Sequence, residues 1–291
     1  MNKDILLLGA SGLIGGYLFE ELSRERRVVG TYYKNKKQGL VHFDLLSSDI
    51  RSMPLENTGY CVMCSAMTKI DACAENSSVS HRINVDGVKR VIEKLSQRRI
   101  VPVFFSSASV FDGVKGGYKE EDIKNPTTLY GGQKADIEDF LVSEKIDSLI
   151  IRPGKVFGVK SGEGVLFTNW LEKYLRGEEI KCADDEQLSP TYVRDVARGT
   201  KELIDRDARG IYHLNFPEHM SRYQMAAFFF SYLKIKDARI KRCSIDEFHS
   251  IEKMPRNTFL DSTKFVGETG FEFTPLERCY DEIRRTFLYR S

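Results

Sequence analysis

Tyr130 and Lys134 are the residues of this chain whose types and spacing best fit a chemical role. They lie four positions apart in Tyr130-Gly-Gly-Gln-Lys134, and residues four apart share one face of a helix. The Lys134 ammonium can therefore approach the Tyr130 hydroxyl. Because a nearby cation favours the phenolate, we expect it to lower the pKa of Tyr130 from the ordinary value of about 10. Such a pair can give a proton to a carbonyl oxygen or remove one from an alcohol.

The position of Tyr130 in the chain is more specific than its spacing to Lys134. The same spacing recurs by chance at Tyr32/Lys36, Tyr33/Lys37 and Tyr232/Lys236. Only Tyr130 shortly follows an apolar run, at 101–105, that leads into serines. We predict that Ser107, at the end of this run, hydrogen-bonds the reacting oxygen. The alternative is a surface Tyr–Lys pair together with a serine that caps a helix.

A glycine-rich turn near the start of the chain predicts a dinucleotide site. Gly9-x-x-Gly12-x-x-Gly15 follows the apolar run 5–8 and precedes an amphipathic segment at 14–25. In such motifs the first glycine permits a tight turn, the second lets the backbone approach a pyrophosphate, and the third lets the helix pack closely. The N-terminus of the helix then offers free N–H groups to phosphate. The alternative is a turn with a purely structural role.

The residues after the second predicted strand favour NADP(H) over NAD(H). An NAD site usually has Asp or Glu there, to bind the ribose 2′-hydroxyl. The stretch 31–37 has no acid and three lysines, including Lys34 and Lys36, which suit a 2′-phosphate unless they only face water. Asp44 can accept from the adenine amino group or cap the next helix. The predicted cofactor-binding residues are Gly9, Ser11, Gly12, Leu13, Ile14, Gly15, Tyr32, Lys34, Asp44, Leu45, Ser65, Ala66, Tyr130 and Lys134.

The order of apolar runs predicts an α/β fold with a doubly wound parallel sheet of the Rossmann type. The chain has 291 residues, of which 41% are hydrophobic and 30% charged. Short strands alternating with helices indicate a parallel sheet covered on both faces. Strands are predicted at 5–8, 28–32, 40–43, 60–64, 101–105, 148–151 and 210–214, and helices at 14–25, 80–96 and 130–144. We expect residues 1–158 to form the dinucleotide-binding domain and 159–291 a smaller substrate-binding lobe that partly returns to the main sheet.

Composition argues against nucleic-acid and membrane partners. The net charge of +2 argues neither for nor against an anionic partner, but the basic clusters are short, as on solvated helix faces. No apolar run approaches the ~18–20 residues that span a bilayer, and the N-terminus resembles no leader, so we expect a cytoplasmic location. Cys61-x-x-Cys64 lies in a predicted strand, where residues three apart point to opposite faces. We therefore predict small buried side chains there, rather than zinc.

The ordered motifs resemble the extended short-chain dehydrogenase/reductases and, over nearly the whole chain, the dTDP-4-dehydrorhamnose reductases. The matching stretches are Thr68-Lys-Ile-Asp71, Val110-Phe-Asp-Gly113, Asn125-Pro126, Ser189-Pro-Thr-Tyr192 with Asp195, Gly210-Ile-Tyr-His-Leu214, Ser221-Arg-Tyr223, Arg256-Asn-Thr258 and Leu260-Asp-Ser-Thr-Lys264. The resemblance implies NADP(H)-dependent reduction of a nucleotide-linked 4-keto-6-deoxysugar by Ser107, Tyr130 and Lys134. The implied substrate contacts are Thr68, Ser107, Ser109 and Lys155. A homodimer is compatible with it, since helices of this fold often pair.

Three positions depart from the pattern of that family. Ala108 stands where the family commonly has an aspartate, a residue expected to contact the substrate. Lys155 stands where the family often has tryptophan, so a cation replaces an apolar platform for the sugar. Tyr17 stands where some members have a glutamate for a metal between subunits. No metal is therefore predicted, and the sugar or its orientation is expected to differ.

Two further functions remain alternatives to a reductase. The regulatory subunit of methionine adenosyltransferase resembles the same family and acts by binding a partner enzyme rather than by catalysis. NAD(P)-dependent epimerases and dehydratases of nucleotide sugars also use a Tyr and Lys pair, but they retain and regenerate their cofactor. The complete set of Ser107, Tyr130 and Lys134 favours an enzyme, whereas the changed substrate positions keep the binding role open.

Overall fold

Residues 3–288 are described by the computed structural model, and they alternate strands and helices through most of their length. The strands are β1 (Asp4–Leu8), β2 (Val28–Tyr32), β3 (Val41–His42), β4 (Thr58–Met63), β5 (Val101–Phe105), β6 (Leu149–Pro153), β7 (Lys155–Phe157), β8 (Ile180–Ala183), β9 (Gln187–Leu188), β10 (Pro190–Tyr192), β11 (Gly210–Leu214), β12 (Met220–Ser221) and β13 (Ile240–Cys243). The helices are α1 (Leu13–Leu22), α2 (Ile70–Glu75), α3 (Ser77–His81), α4 (Val88–Ser96), α5 (Leu129–Ser143), α6 (Phe167–Leu175), α7 (Val193–Asp205), α8 (Arg222–Tyr232), α9 (Thr263–Thr269) and α10 (Leu276–Leu288). A π-helical stretch (Arg82–Gly87) joins α3 to α4. None of these helices is both long and apolar enough to cross a membrane.

A seven-stranded parallel sheet forms the centre of the molecule. Its order is β3-β2-β1-β4-β5-β6-β11, with Leu7 of β1 opposite both Gly30 of β2 and Val62 of β4. The chain runs from β1 outward to β3 and then returns to the other side of β1 at β4. In open parallel sheets, ligands bind at such a point of reversal, beyond the carboxyl ends of the strands.

Helices cover both faces of this sheet, which confirms the predicted doubly wound fold. Successive residues of a strand point to opposite faces. Ile5 and Leu7 of β1 pack on the side of α1 and α7, whereas Leu6 and Leu8 pack on the side of α4 and α5. Since all four side chains are fully buried, β1 has no face open to water, as the unbroken apolar run 5–8 requires.

The segment after residue 158 contributes both to the main sheet and to smaller sheets beyond it. β11 pairs with β6 at the edge of the main sheet, with Gly210 opposite Leu149, and α7 packs against α1. Three two-stranded sheets, β7–β10, β9–β12 and β8–β13, lie outside the main sheet. Ser221 begins α8 with the capping box that its spacing to Gln224 predicts.

Candidate active site

A cavity of about 500 Å³ opens at the carboxyl edge of the main sheet. Its walls come from the glycine turn, the segments that follow β4, β5 and β6, the first turns of α5, and loops of the last hundred residues. Twelve of the predicted site residues line it: Gly9, Gly12, Leu13, Ile14, Gly15, Ala66, Thr68, Ser107, Ser109, Tyr130, Lys134 and Lys155. Ser11, Tyr32, Lys34, Asp44, Leu45 and Ser65 are not among its lining residues.

The glycine turn has the backbone geometry that the motif requires. Gly9 has a φ of +89°, and its N–H donates to Oγ1 of Thr31 at 3.0 Å. A Cβ atom on Gly15 would lie 2.1 Å from the Gly9 carbonyl oxygen, so only glycine lets α1 approach the turn this closely. Gly12 precedes α1, and no side chain within residues 3–288 caps this helix N-terminus. Its N–H groups and its dipole therefore suit the pyrophosphate of a dinucleotide.

Two residues predicted to contact the cofactor have other roles in the structure. The Asp44 carboxylate accepts from the Leu46 N–H at 2.9 Å and from the Ser47 hydroxyl at 2.8 Å, so it caps the turn after β3. It does not cap the next helical segment, Ile50–Ser52, which Asp49 caps, and its contact to adenine stays a prediction. The Leu45 side chain is buried in the core beneath α4, and only its main chain can face a ligand.

Residues after β2 and β4 flank the glycine turn. Ser65 packs against the turn, because a Cβ atom on Gly9 would lie 2.8 Å from both the nitrogen and the hydroxyl of Ser65. Tyr32 ends β2, and its ring makes an edge contact with His42, at 5.5 Å between centroids. Lys34 is exposed, and its ammonium lies 5.6 Å from the ring centroid of Tyr33.

Tyr130 and Lys134 lie in the first two turns of α5, as their spacing predicts. Thr128 caps this helix by accepting from the Gly131 N–H at 3.2 Å. A Cβ atom on Gly131 would lie 2.1 Å from the carbonyl oxygen of Ser109, so the absence of a side chain lets α5 contact the segment after β5. This close packing brings Tyr130 to Ser107.

The Lys134 ammonium is fixed by the end of β5. Its Nζ donates to the carbonyl oxygen of Phe105 at 2.8 Å, and it lies 4.6 Å from the ring centroid of Phe104. Burial of the side chain lowers the pKa of Lys134 to about 8, against the opposing influence of Cys64 and Glu138. The distance from Nζ to the ring centroid of Tyr130 is 5.8 Å.

The expected direction of the Tyr130 pKa shift is wrong. Burial raises the pKa of Tyr130 to about 12, although the nearby Ser107 acts to lower it. The Ser107 hydroxyl itself donates to the Ser109 hydroxyl at 3.1 Å and accepts from the Ser109 N–H at 3.1 Å, so Ser107 also caps the short helical turn Ala108–Val110. The ammonium of Lys134 donates to the carbonyl of Phe105 instead of to the phenol, so desolvation of the phenolate dominates. Tyr130 is therefore a neutral phenol at pH 7, which is the form that can donate a proton.

A buried network of polar side chains joins α5 to α3, to the π-helical stretch and to the loop after β4. The sequence analysis did not predict it. Asn84 accepts from the Met67 N–H at 2.8 Å and donates to Gln133 at 2.7 Å, and Gln133 donates to the Ser80 hydroxyl at 2.8 Å. The network ties the loop after β4 to the helix that carries Tyr130. In the sequence, the only sign of this network is that polar residues stand at three positions that face the core, namely Ser80, Asn84 and Gln133.

The substrate side of the cavity depends on residues from the second half of the chain. Arg152 is buried and makes a two-pronged ion pair with Glu138, at 2.9 and 2.6 Å, which fixes the end of β6 three residues before Lys155. The sequence analysis did not predict the other wall residues as ligand contacts, although Cys64, Arg222 and Thr258 lie in stretches that it named. The other wall residues are Cys64, Glu186, Leu188, Arg222, Met254, Pro255 and Thr258, among others.

Tyr17 and the pair Cys61 and Cys64 are the positions at which the sequence analysis considered a metal ligand. The Tyr17 hydroxyl donates to Glu163 at 3.0 Å, and the ammonium of Lys160 lies 4.7 Å from the Tyr17 ring centroid. Cys61 is buried in β4, whereas Cys64 faces the cavity, and all six cysteines are free. Among residues 3–288 no three side chains of His, Cys, Asp or Glu cluster as metal ligands would.

Comparison with known proteins gives one family over nearly the whole chain. Residues 2–286 match the sequence profile of the family described as "RmlD substrate binding domain". Methionine adenosyltransferase 2 subunit beta from Bos taurus is 24% identical over 273 residues, which cover 90% of this chain and 81% of that protein. The dTDP-4-dehydrorhamnose reductase of Aggregatibacter actinomycetemcomitans is 25% identical over 293 residues, covering 96% of this chain and 98% of the reductase.

A solved structure resembles the whole chain as well. The dTDP-4-dehydrorhamnose reductase from Bacillus anthracis, determined in complex with NADP, superposes with a TM-score of 0.84 at 25% identity. The match covers 99% of this chain and 99% of that one. The similarity therefore extends from the glycine turn to the loops around the substrate side of the cavity.

Proposed function

Because this chain belongs to the RmlD substrate binding domain family, we propose that it is an NADP(H)-dependent reductase of a nucleotide-linked 4-keto-6-deoxysugar. The observation that carries the proposal is that Ser107, Tyr130 and Lys134 line the same cavity as the glycine turn. The similar reductase from Bacillus anthracis was determined in complex with NADP. NAD(H) is the alternative cofactor.

A dinucleotide bound along this edge of the sheet would have a defined direction. The N–H groups at the start of α1 would bind the pyrophosphate, and Lys34 and Lys36 would bind the 2′-phosphate. Lys134 would hold the nicotinamide ribose, since its ammonium has donors left after the bond to the Phe105 carbonyl. When bound, the reduced nicotinamide supplies a hydride to the ketone carbon.

Tyr130 and Ser107 would contact the oxygen of the bound ketone. Tyr130 donates its phenolic proton to that oxygen as the carbonyl becomes a hydroxyl. The developing alkoxide is a stronger base than the phenolate, so it can take this proton although burial raises the pKa of Tyr130. The Ser107 hydroxyl hydrogen-bonds the same oxygen and orients it. Thr68, Ser109 and Lys155 would contact the rest of the nucleotide sugar.

NADPH oxidation by the purified protein, measured with a panel of nucleotide-linked 4-keto-6-deoxysugars, tests this function. We expect turnover with at least one sugar and its loss in Tyr130→Phe. Tyr174→Phe serves as a matched control, because it removes a phenol that donates to Asp237 on the surface. Full activity of Tyr130→Phe would rule out the proposed proton donor.

A non-catalytic binding subunit is the second candidate. It is favoured by the similarity to subunit beta of methionine adenosyltransferase 2 and by Ala108 and Lys155 on the substrate side. Tight NADPH binding without turnover on any sugar of the panel would support it. The next experiment would then be affinity purification of the NADPH-bound protein from its own cells to find a partner enzyme.

A further inference from the structure

A segment between β13 and α9, residues 250–258, crosses one wall of the cavity, and we call it the strap. Its residues in that wall are Met254, Pro255 and Thr258. Main-chain bonds hold the end of the strap, since the Asn257 N–H donates to the Gly113 carbonyl at 2.9 Å. A Cβ atom on Gly113 would lie 2.5 Å from the Cβ of Pro255, so the strap packs closely against the segment after β5. This end therefore has little freedom to move.

The beginning of the strap is held by carboxylates instead. Asp71 of α2 accepts from the Ser250 hydroxyl at 2.8 Å and from the Ile251 N–H at 3.0 Å. Oε1 of Glu252 accepts from the N–H of Leu129, the first residue of α5, at 2.8 Å. Since α2 packs against α5, the strap binds a pair of neighbouring helices in the first half of the chain.

The contact between Glu252 and α5 lies one residue before Tyr130. The first N–H groups of a helix have no partner within the helix. In α5, Thr128 accepts from the Gly131 N–H and Glu252 accepts from the Leu129 N–H. The helix dipole also favours a carboxylate at this end. The first turn of α5, which carries Tyr130, is therefore fixed in part by a residue 123 positions away from Leu129 in the chain.

Glu252 can influence a reaction only through other groups. It is not among the residues that line the cavity. Its second oxygen, Oε2, is buried and has no hydrogen-bond partner within residues 3–288. Because a buried carboxylate oxygen without a partner is costly, this contact is a poor source of stability. What the contact supplies is a fixed place for the first turn of α5.

We propose that Glu252 is a positioning residue, which fixes the first turn of α5 and thereby the Tyr130 hydroxyl. Because Met254 and Pro255 follow Glu252 within three residues, the same side chain links the substrate wall to the proton donor. Proton transfer needs about 2.6–3.2 Å between donor and acceptor oxygens, and a misplacement of about 1 Å can cost roughly 10²-fold in rate. The inference rests on the proposed function, since it takes Tyr130 as the general acid.

Three variants of Glu252 separate the hydrogen bond from the charge. Glu252→Ala removes the acceptor, whereas Glu252→Gln keeps an acceptor oxygen at the same reach without the charge. Glu252→Asp keeps the charge on a side chain one carbon shorter, and it tests the reach if Glu252→Ala does not fold. Glu272→Ala is the matched control, because Glu272 is an exposed glutamate between α9 and α10.

Two measurements test the role of Glu252, and the first needs no turnover. Hydrogen exchange of the backbone amides at 129–131 should be roughly tenfold faster or more in Glu252→Ala and Glu252→Asp, but nearly unchanged in Glu252→Gln and Glu272→Ala. The second measurement is the single-turnover rate of NADPH oxidation. It should fall by roughly ten- to hundredfold in Glu252→Ala and recover most of its value in Glu252→Gln. The dissociation constant of NADPH should stay nearly unchanged in all variants.

Unchanged exchange at 129–131 in Glu252→Ala, or a full single-turnover rate in this variant, would overturn the positioning role. An equal loss of rate in Glu252→Gln and Glu252→Ala would overturn it too, because the hydrogen bond would then not be the cause.

The fate of this inference is separable from that of the proposed reductase. A full rate in Glu252→Ala beside a lost rate in Tyr130→Phe would remove the positioning role and leave the reductase. Faster exchange at 129–131 in Glu252→Ala but not in Glu252→Gln, without NADPH oxidation on any keto sugar, would leave the placement of α5 by Glu252 and remove the reductase.

Discussion

The cofactor side and the substrate side of the cavity are built in different ways. On the cofactor side, a single stretch of chain presents backbone groups, and its geometry depends on glycines at positions 9, 12 and 15. On the substrate side, full charges from Lys155, Glu186 and Arg222 meet from three separate segments. The backbone site tolerates few residue types. The charged site can change its ligand without any change of fold.

Under the proposed function, this difference separates the groups that bind the cofactor from those that select the substrate. A helix N-terminus and a tight turn recognise a pyrophosphate in any dinucleotide. Lys155, in contrast, stands where the dTDP-4-dehydrorhamnose reductases often have tryptophan, and the wall around it is cationic. We therefore expect substitutions on the two sides to have separable effects, and the predictions below begin with the largest.

Tyr130→Phe should have the largest effect, because it should slow the chemical step while leaving cofactor binding nearly unchanged. Loss of a general acid lowers kcat by about 10²- to 10⁴-fold, whereas the dissociation constant of NADPH should stay nearly unchanged. Stopped-flow measurement of single-turnover NADPH oxidation, together with fluorescence titration of NADPH, checks both quantities. A parallel loss of NADPH affinity would mean that Tyr130 belongs to the cofactor side instead.

Gly15→Ala should weaken cofactor binding by displacing the backbone of α1 from the glycine turn. The new Cβ would lie 2.1 Å from the Gly9 carbonyl oxygen, so α1 must move away from the turn. We expect a loss of roughly 1–3 kcal/mol of stability and loss of NADPH binding. Denaturant unfolding and NADPH titration measure these effects.

Gly267→Ala is the matched control for the change at Gly15. Gly267 lies in α9, and a Cβ atom there would meet nothing within 4 Å. Alanine in such a helix position should stabilise the fold by about 1 kcal/mol or less. Normal NADPH binding by Gly15→Ala would show that close packing of the turn is not needed for the cofactor.

Charge reversal at Lys34 and Lys36 tests a part of the cofactor side that depends on side chains and not on the backbone. The double change to Glu should weaken NADPH by roughly tenfold or more, because charged hydrogen bonds to a phosphate are lost. NADH lacks the 2′-phosphate and should be little affected. The double variant Lys181→Glu with Lys241→Glu changes charge equally on β8 and β13. Equal losses for the two cofactors would show that Lys34 and Lys36 do not bind the 2′-phosphate.

The pH dependence of ligand binding should differ between the two sides. Desolvation and repulsion from Arg222 lower the pKa of Lys155 to about 8, and only its charged form attracts the diphosphate of a nucleotide sugar. The affinity for the anionic nucleotide sugar should therefore be full below pH 7 and fall about tenfold between pH 7 and pH 9. Arginine stays charged throughout this range, so Lys155→Arg should give a flatter profile. Identical profiles for the two proteins would assign the pH effect to another group.

The fold and the glycine turn were predictable from local sequence because short-range sterics specify them. The unbroken apolar run 5–8 requires burial on both faces, and Gly9 and Gly15 occupy positions where a side chain would clash. The spacing of Tyr130 to Lys134 likewise follows from helix geometry. These features need only neighbours within about a helical turn or a strand crossover.

The electrostatics of the site could not be predicted in the same way. The sequence places a lysine near Tyr130, yet the direction of the tyrosine pKa shift depends on how much water remains around the phenol and on the acceptor that Lys134 finds. In the folded chain, that acceptor is the Phe105 carbonyl.

The sequence alone therefore determined the parallel sheet, the dinucleotide turn and the order of Ser107, Tyr130 and Lys134. The tertiary structure decided that burial raises the pKa of Tyr130 instead of lowering it, and that Glu186 pairs with Arg222. The reason is physical: steric and periodic constraints act between residues close in the chain. Desolvation and charge pairing depend on groups that meet only when distant segments pack together.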